Sequence, residues 1–265
     1  MRKDLEKYKK ERLGEENYNN QNILMKIIEY NNKNDIIIEF QDEYRAKIHT
    51  QYNNFKKGNV KNPYYPCIFN IGYYGQGKYK CKINNKDTKA YKIWRDMLKR
   101  CYDPYYLNKE PTYIDCYVCE EWHCFQNFAE WFYKNYYEID GTKMALDKDI
   151  LVKNNKIYSP KTCIFVPNRI NNLFIKSNKS RGRYPIGVYE YYDKEYGYRY
   201  LIVQCNTLEK KEYLGTFPIN RPFQAFYTYK QYKENYIKKV ADEYKELISN
   251  ELYNTLYKYE VEIND

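Results

Sequence analysis

The chain has 265 residues, 43% of them hydrophobic, enough to bury one to three cores. No apolar run reaches the ~20 residues that a bilayer-spanning helix needs, so a membrane role is not expected. With 45 Lys and Arg against 35 Asp and Glu the net charge is +10, which favours a polyanionic partner, above all nucleic acid. The opening MRKDLEKYKKERLGEE is charged and lacks the apolar stretch of a secretion signal, which points to a cytoplasm. In that compartment the eight cysteines read as thiols or metal ligands, not as a disulfide framework. The 36 tyrosines accompany abundant Lys, Asn and Ile, so low-GC coding accounts for much of their number.

Residues 1–22 form a charged arm with a short helix. From 23 to 87 the runs ILMKIIEY (23–30), DIIIEFQD (35–42) and YRAKIHTQY (44–52) are β-branched and aromatic, broken by Asn-rich turns. They predict a small β domain. Gly72, Gly75 and Gly77 before Lys78 lack the spacing of a phosphate loop and read as turns. TKAYKIWRDMLKRCY (88–102) places Trp94, Met97, Leu98 and Cys101 at helical spacing. VCEEWHCFQNFAEWFYKNYY (118–137) does the same with Trp122, Phe125, Phe128, Trp131 and Phe132. These helices are expected to pack on the segment that follows, so 88–175 reads as one α+β domain. Cys116 and Cys119 have the spacing of half a structural zinc site, with no second CxxC to complete it.

The stretch LDKDILVKNNKIYSPKTCIFVPNRIN (146–171) reads as a short strand (146–151), a polar turn, a second strand (163–166) and a helix starting near Pro167. This ββα order resembles the HNH, or His-Me finger, nucleases. The resemblance implies a divalent ion, Mg²⁺ or Mn²⁺, held by Asp147 on the first strand and Asn171 on the helix. It also implies a histidine base after the Asp and a middle Asn that orients it. Those positions hold Lys148 and Thr162 here. An ordinary lysine titrates near ~10.4 and is almost wholly protonated at neutral pH, so Lys148 suits phosphate better than water activation. Asp149 is the remaining carboxylate for orienting water or for a second ligand bond. His49 and His123 are the only histidines.

FIKSNKSRGRYP (174–185) supplies Lys176, Lys179, Arg181 and Arg183 with no acidic residue, which suits a linker that tracks phosphates. GVYEYY (187–192), YRYLIVQC (198–205) and KKEYLGTF (210–217) predict three strands, and a helix follows at about 221–247. The domain therefore spans 186–247, beyond a 176–185 linker and before a 248–265 tail. Gly187-Val188, the turn and strand from Lys194 to Arg199, LGTF at 214–217 and Ala225 resemble the ethylene-response-factor (Apetala-type) DNA-binding domain. That family lays the open face of its sheet in the major groove. The resemblance implies that Tyr189, Arg199, Lys211 and Tyr213 face DNA. The order of modules along the whole chain also resembles HNH endonuclease-like proteins of low-GC phages, which implies the cytoplasm of a bacterial host. The expected class is thus multidomain α+β. Three functions stay open: a metal-dependent DNA endonuclease, a non-catalytic DNA-binding regulator or accessory factor built on a degenerate finger, and a phage protein–protein adaptor.

Overall fold

A computed structural model describes residues 2–174, 183–263 and 265. In chain order the first elements are α1 (Arg2–Arg12), β1 (Glu16–Tyr18), β2 (Leu24–Asn32), β3 (Asp35–Phe40), β4 (Lys47–Thr50) and α2 (Tyr52–Lys56). Next come β5 (Lys82–Ile83), β6 (Lys86–Asp87), α3 (Lys89–Tyr102), α4 (Pro104–Lys109), β7 (Tyr117–Val118) and α5 (Phe125–Asn135). The finger region holds β8 (Met144–Asp147), β9 (Ile157–Tyr158), β10 (Ile164–Pro167) and α6 (Asn168–Asn171). The chain finishes with β11 (Val188–Asp193), β12 (Tyr198–Asn206), β13 (Lys211–Pro218), α7 (Pro222–Glu243) and α8 (Asn250–Tyr257). Helices and several small sheets alternate, so the chain is mixed α and β.

Two units result: residues 1–134 with 156–159, and residues 135–155 with 160–265. In the first, β1–β4 form an antiparallel sheet in sequence order. The alternation of β3 sends Ile36, Ile38 and Phe40 inward, where they meet Met25, Ile27, Tyr30, Phe55 and Val60. Helix α3 starts at the N-cap Thr88, whose hydroxyl accepts the Tyr91 amide at 3.3 Å. It buries Trp94, Met97, Leu98 and Cys101 as its spacing predicts. The Trp94 indole donates to the Trp122 carbonyl at 2.7 Å. The helix expected over 118–137 begins only at Phe125, because β7 and a 3-10 turn (Glu120–His123) occupy its first part.

The boundaries differ from those the sequence predicts. Residues 88–175 are not one body: the helices α3 and α5 lie in the first unit, and most of the finger lies in the second. The physical reason is the partner of the finger's apolar side. Ile150, Val166, Ile170 and Leu173 are buried with Tyr236, Ile237, Val240 and Ala241 of α7 and with Leu252 and Leu256 of α8. The middle of the finger is not a simple turn either. Its β9 pairs in parallel with β7, within the first unit.

In the second unit α7 serves two cores along its length. Its first half places Ala225, Phe226 and Tyr229 against Val188, Leu201, Val203 and Cys205 of the β11–β12–β13 sheet, and its second half covers the finger. Gly187 makes the close approach that this requires. At φ +77° it lies against the Tyr229 ring, where a Cβ would meet ring atoms at 2.1 Å. The tail adds a strap: Lys230 donates to the Val261 carbonyl at 2.9 Å, Glu234 accepts the Val261 amide at 2.8 Å, and Lys153 binds the Glu260 carbonyl at 2.7 Å and Asp265 at 2.8 Å.

Candidate functional site

The finger strands β8 and β10 pair antiparallel, Asp147 opposite Ile164 and Met144 opposite Pro167. Strand β8 ends at Asp147, four residues earlier than the sequence predicts, because the Asp147 side chain turns the chain there. Its Oδ1 accepts the backbone amides of Asp149 and Ile150, both at 2.7 Å. Burial pushes the Asp147 carboxyl above the usual range. The two amides and Lys148 pull it back, and the Asp149 charge adds to the rise.

Lys148 is only 7% exposed. Its ammonium donates to Asp149 Oδ2 at 2.7 Å and to the Asn155 carbonyl at 2.8 Å. The Asn155 amide donates back to the Lys148 carbonyl at 2.8 Å, so a reciprocal pair closes the 148–155 loop. Asn154, at φ +58°, makes the reversal just before it. Two expectations are corrected here. Asp149, expected to orient water or add a ligand bond, lies past the end of β8 and carries the Lys148 ammonium, and the Lys148 cation folds onto its own loop instead of presenting itself to a phosphate. The side chain that holds residue 148 from the middle of the finger is Asn155, which the reading at Thr162 missed. The sequence signal was Asn154-Asn155 itself, a left-handed turn residue followed by a side-chain amide.

Asn171 is the last residue of α6, a single turn held against β8 and β10 by the buried Ile170. Mg²⁺ takes about six oxygen ligands, of which several are usually water and one or two are protein carboxylates. Both lone-pair directions of Asp147 Oδ1 are used by the turn, and Asp149 carries the Lys148 ammonium. Among the described residues no group of three or more His, Cys, Asp or Glu side chains gathers to hold a metal ion. With Asp149 engaged by Lys148, Asp147 and Asn171 are the donors that would be left to hold Mg²⁺ or Mn²⁺, the other ligands being water.

The cysteines form no disulfide among the described residues. Cys116 is buried, with its thiol 4.0 Å from the Thr112 carbonyl, and burial pushes the half-buried Cys119 thiol up. No third donor joins them for zinc among the described residues. His123 sets Nε2 at 3.1 Å from the Val118 carbonyl and its ring edge-on to Tyr102, an arrangement that satisfies the imidazole locally.

The C-terminal sheet has one covered and one open face, and the register decides which side chain belongs to which. Val188 pairs with Val203, Glu190 with Leu201 and Tyr192 with Arg199, and these share the face that α7 covers. Tyr189 pairs with Ile202, Tyr191 with Tyr200, Tyr213 with Gln204 and Lys211 with Asn206 on the open face. Tyr189, Lys211 and Tyr213 therefore stand where DNA contact was expected. Arg199 does not. It lies on the helix-side face and binds Glu190, which also accepts the Tyr184 hydroxyl at 2.9 Å and Arg183 at 2.5 Å. Arg199, then Tyr184 and Arg183, hold the Glu190 carboxyl down to about 2. Arg183 is thus tied to the sheet edge, and Lys176, Lys179 and Arg181 lie outside the described residues. On the open face the Lys211 ammonium sits 5.4 Å from the Tyr189 ring centre.

Comparison with family models, curated proteins and solved structures finds no match to this chain.

Proposed function

We propose that this chain is a DNA-binding protein, of the regulator or accessory kind that phages use, which contacts nucleic acid through the open face of the β11–β12–β13 sheet. The observation that carries this reading is the register of that sheet, which puts Tyr189, Tyr191, Tyr200, Tyr213 and Lys211 on a face that α7 leaves uncovered. The basic surplus of the chain supports it. The finger then serves as a scaffold. Asp147 spends an oxygen on its turn, Lys148 spends its ammonium on its loop, and the apolar side docks on α7.

A second reading, a metal-dependent DNA endonuclease, is favoured by one observation: antiparallel β8 and β10 followed by α6, with Asn155 gripping residue 148 from the middle, reproduce the order of a nuclease finger. It requires Asp149 to leave Lys148. Supercoiled plasmid incubated with Mg²⁺ or Mn²⁺ separates the readings. The scaffold reading expects salt-sensitive gel-shift binding and no nicking by the wild type, Asp147→Ala or Lys148→Ala. Nicking by the wild type that Asp147→Ala abolishes would establish the endonuclease. A protein–protein adaptor would bind no DNA at any salt concentration.

A further inference from the structure

We propose that the open face of the β11–β12–β13 sheet takes single-stranded DNA, stacking unpaired bases on its tyrosines, in preference to lying in the groove of a duplex. The inference rests on the DNA-binding reading above and narrows it to one form of DNA.

Reading a duplex edge depends on forked donors, chiefly arginine on guanine. Arg199 is the only arginine in the three strands, and the register puts it on the other face with Glu190 as its partner. The open face offers rings instead. Tyr189, Tyr191, Tyr198 and Tyr213 are 42%, 51%, 54% and 60% exposed. Tyr191 and Tyr198 flank Tyr200, with ring centres 5.2 and 5.6 Å away and planes tilted by 49° and 44°. Tyr200 is half-buried between them, while the two flanking rings are exposed to a ligand. Coding bias does not explain the placement. In β12 the covered positions are Leu201, Val203 and Cys205, while Tyr198 and Tyr200 fall on the open side. A cluster of exposed rings on one sheet face is unusual for a surface with no partner.

The chemistry matches an unpaired strand. Every base has a π-face, so an aromatic platform binds without requiring a sequence, and neighbouring cations carry the phosphates. Lys211, lying across Tyr189, is placed for that second role. The tyrosine hydroxyls add donors for phosphate and sugar oxygens.

The test is fluorescence anisotropy of the full chain with a labelled mixed-sequence oligonucleotide, presented as single-stranded DNA, as duplex DNA and as single-stranded RNA. Three proteins are compared: wild type, Tyr191→Ala/Tyr200→Ala and Tyr191→Phe/Tyr200→Phe. Circular dichroism and the thermal midpoint confirm that each is folded. Single-stranded DNA is expected to bind about 10-fold tighter than the duplex. The Ala pair should lose about 100-fold, since each stacked base contributes roughly 1–3 kcal/mol, and the Phe pair should stay within about 3-fold. Tighter duplex binding, or full single-strand affinity in the Ala pair, overturns the inference and leaves the DNA-binding reading standing. Tighter RNA binding overturns the assignment to DNA. No binding to any of the three overturns both readings together.

Discussion

Asp147 and Lys148 act first on their own loop, and substitutions there should report on folding. Asn at 147 keeps the acceptor oxygen for the Asp149 and Ile150 amides and removes the burial cost of a charge. Asp147→Asn is therefore expected to hold or raise the thermal midpoint at pH 7. Asp147→Ala should lower stability by about 1 kcal/mol through two amides left without their cap. The pH dependence has a definite sign. A carboxyl whose folded value is raised binds its proton more tightly when folded, so its contribution falls as pH rises from the ordinary range through the folded value, then levels off. Melting curves across that window should show this slope in the wild type and not in Asp147→Asn. Lys148→Met keeps the stem but strips the ammonium from Asp149 and the Asn155 carbonyl. Its expected cost is about 2 kcal/mol in urea unfolding, with no change in oligonucleotide affinity. Little of this was legible in the sequence, because a lysine after an aspartate looks the same whether it points to a ligand or back to a carbonyl seven residues on.

At the scale of elements, the strands and helices follow from local pattern, and the misplacements come from partners distant in sequence. The apolar positions of α7 predict an amphipathic helix, yet nothing in their spacing says that Phe226 meets the sheet while Ile237 and Val240 meet the finger. Ile237→Ala should cost about 3 kcal/mol and raise amide exchange in β8 and β10. Gly187→Ala drives a Cβ into the Tyr229 ring at a left-handed φ, and a loss of about 3 kcal/mol is expected in unfolding. The Arg199 placement was legible and was missed: Leu201, Val203 and Cys205 alternate inward, which fixes Arg199 on the same side. Its partner Glu190 gives the sheet edge an acid sensitivity. That carboxyl is held down to about 2 against an ordinary 4.5, so its stabilising contribution is full above the ordinary value and is lost as pH falls towards 2. Glu190→Gln should remove that dependence from the acid limb of the melting profile.

The mixed α and β class was readable from the whole chain, as was the alternation of β-rich and helical segments. The division between Lys134 and Asn135 was not, since it depends on the finger docking to helices far along the chain. The molecule that results carries a group of exposed tyrosines on one face of the C-terminal sheet, and Asp147 and Lys148 in a loop that they hold closed. The direct test of that separation is the affinity for labelled single-stranded DNA, measured for Asp147→Asn, for Lys148→Met and for Tyr191→Ala/Tyr200→Ala beside the wild type. The account expects the two finger variants to bind as the wild type does and the tyrosine pair to lose about 100-fold. Weakened binding in the finger variants, with the tyrosine pair unaffected, would contradict it and return the finger to the centre of the function.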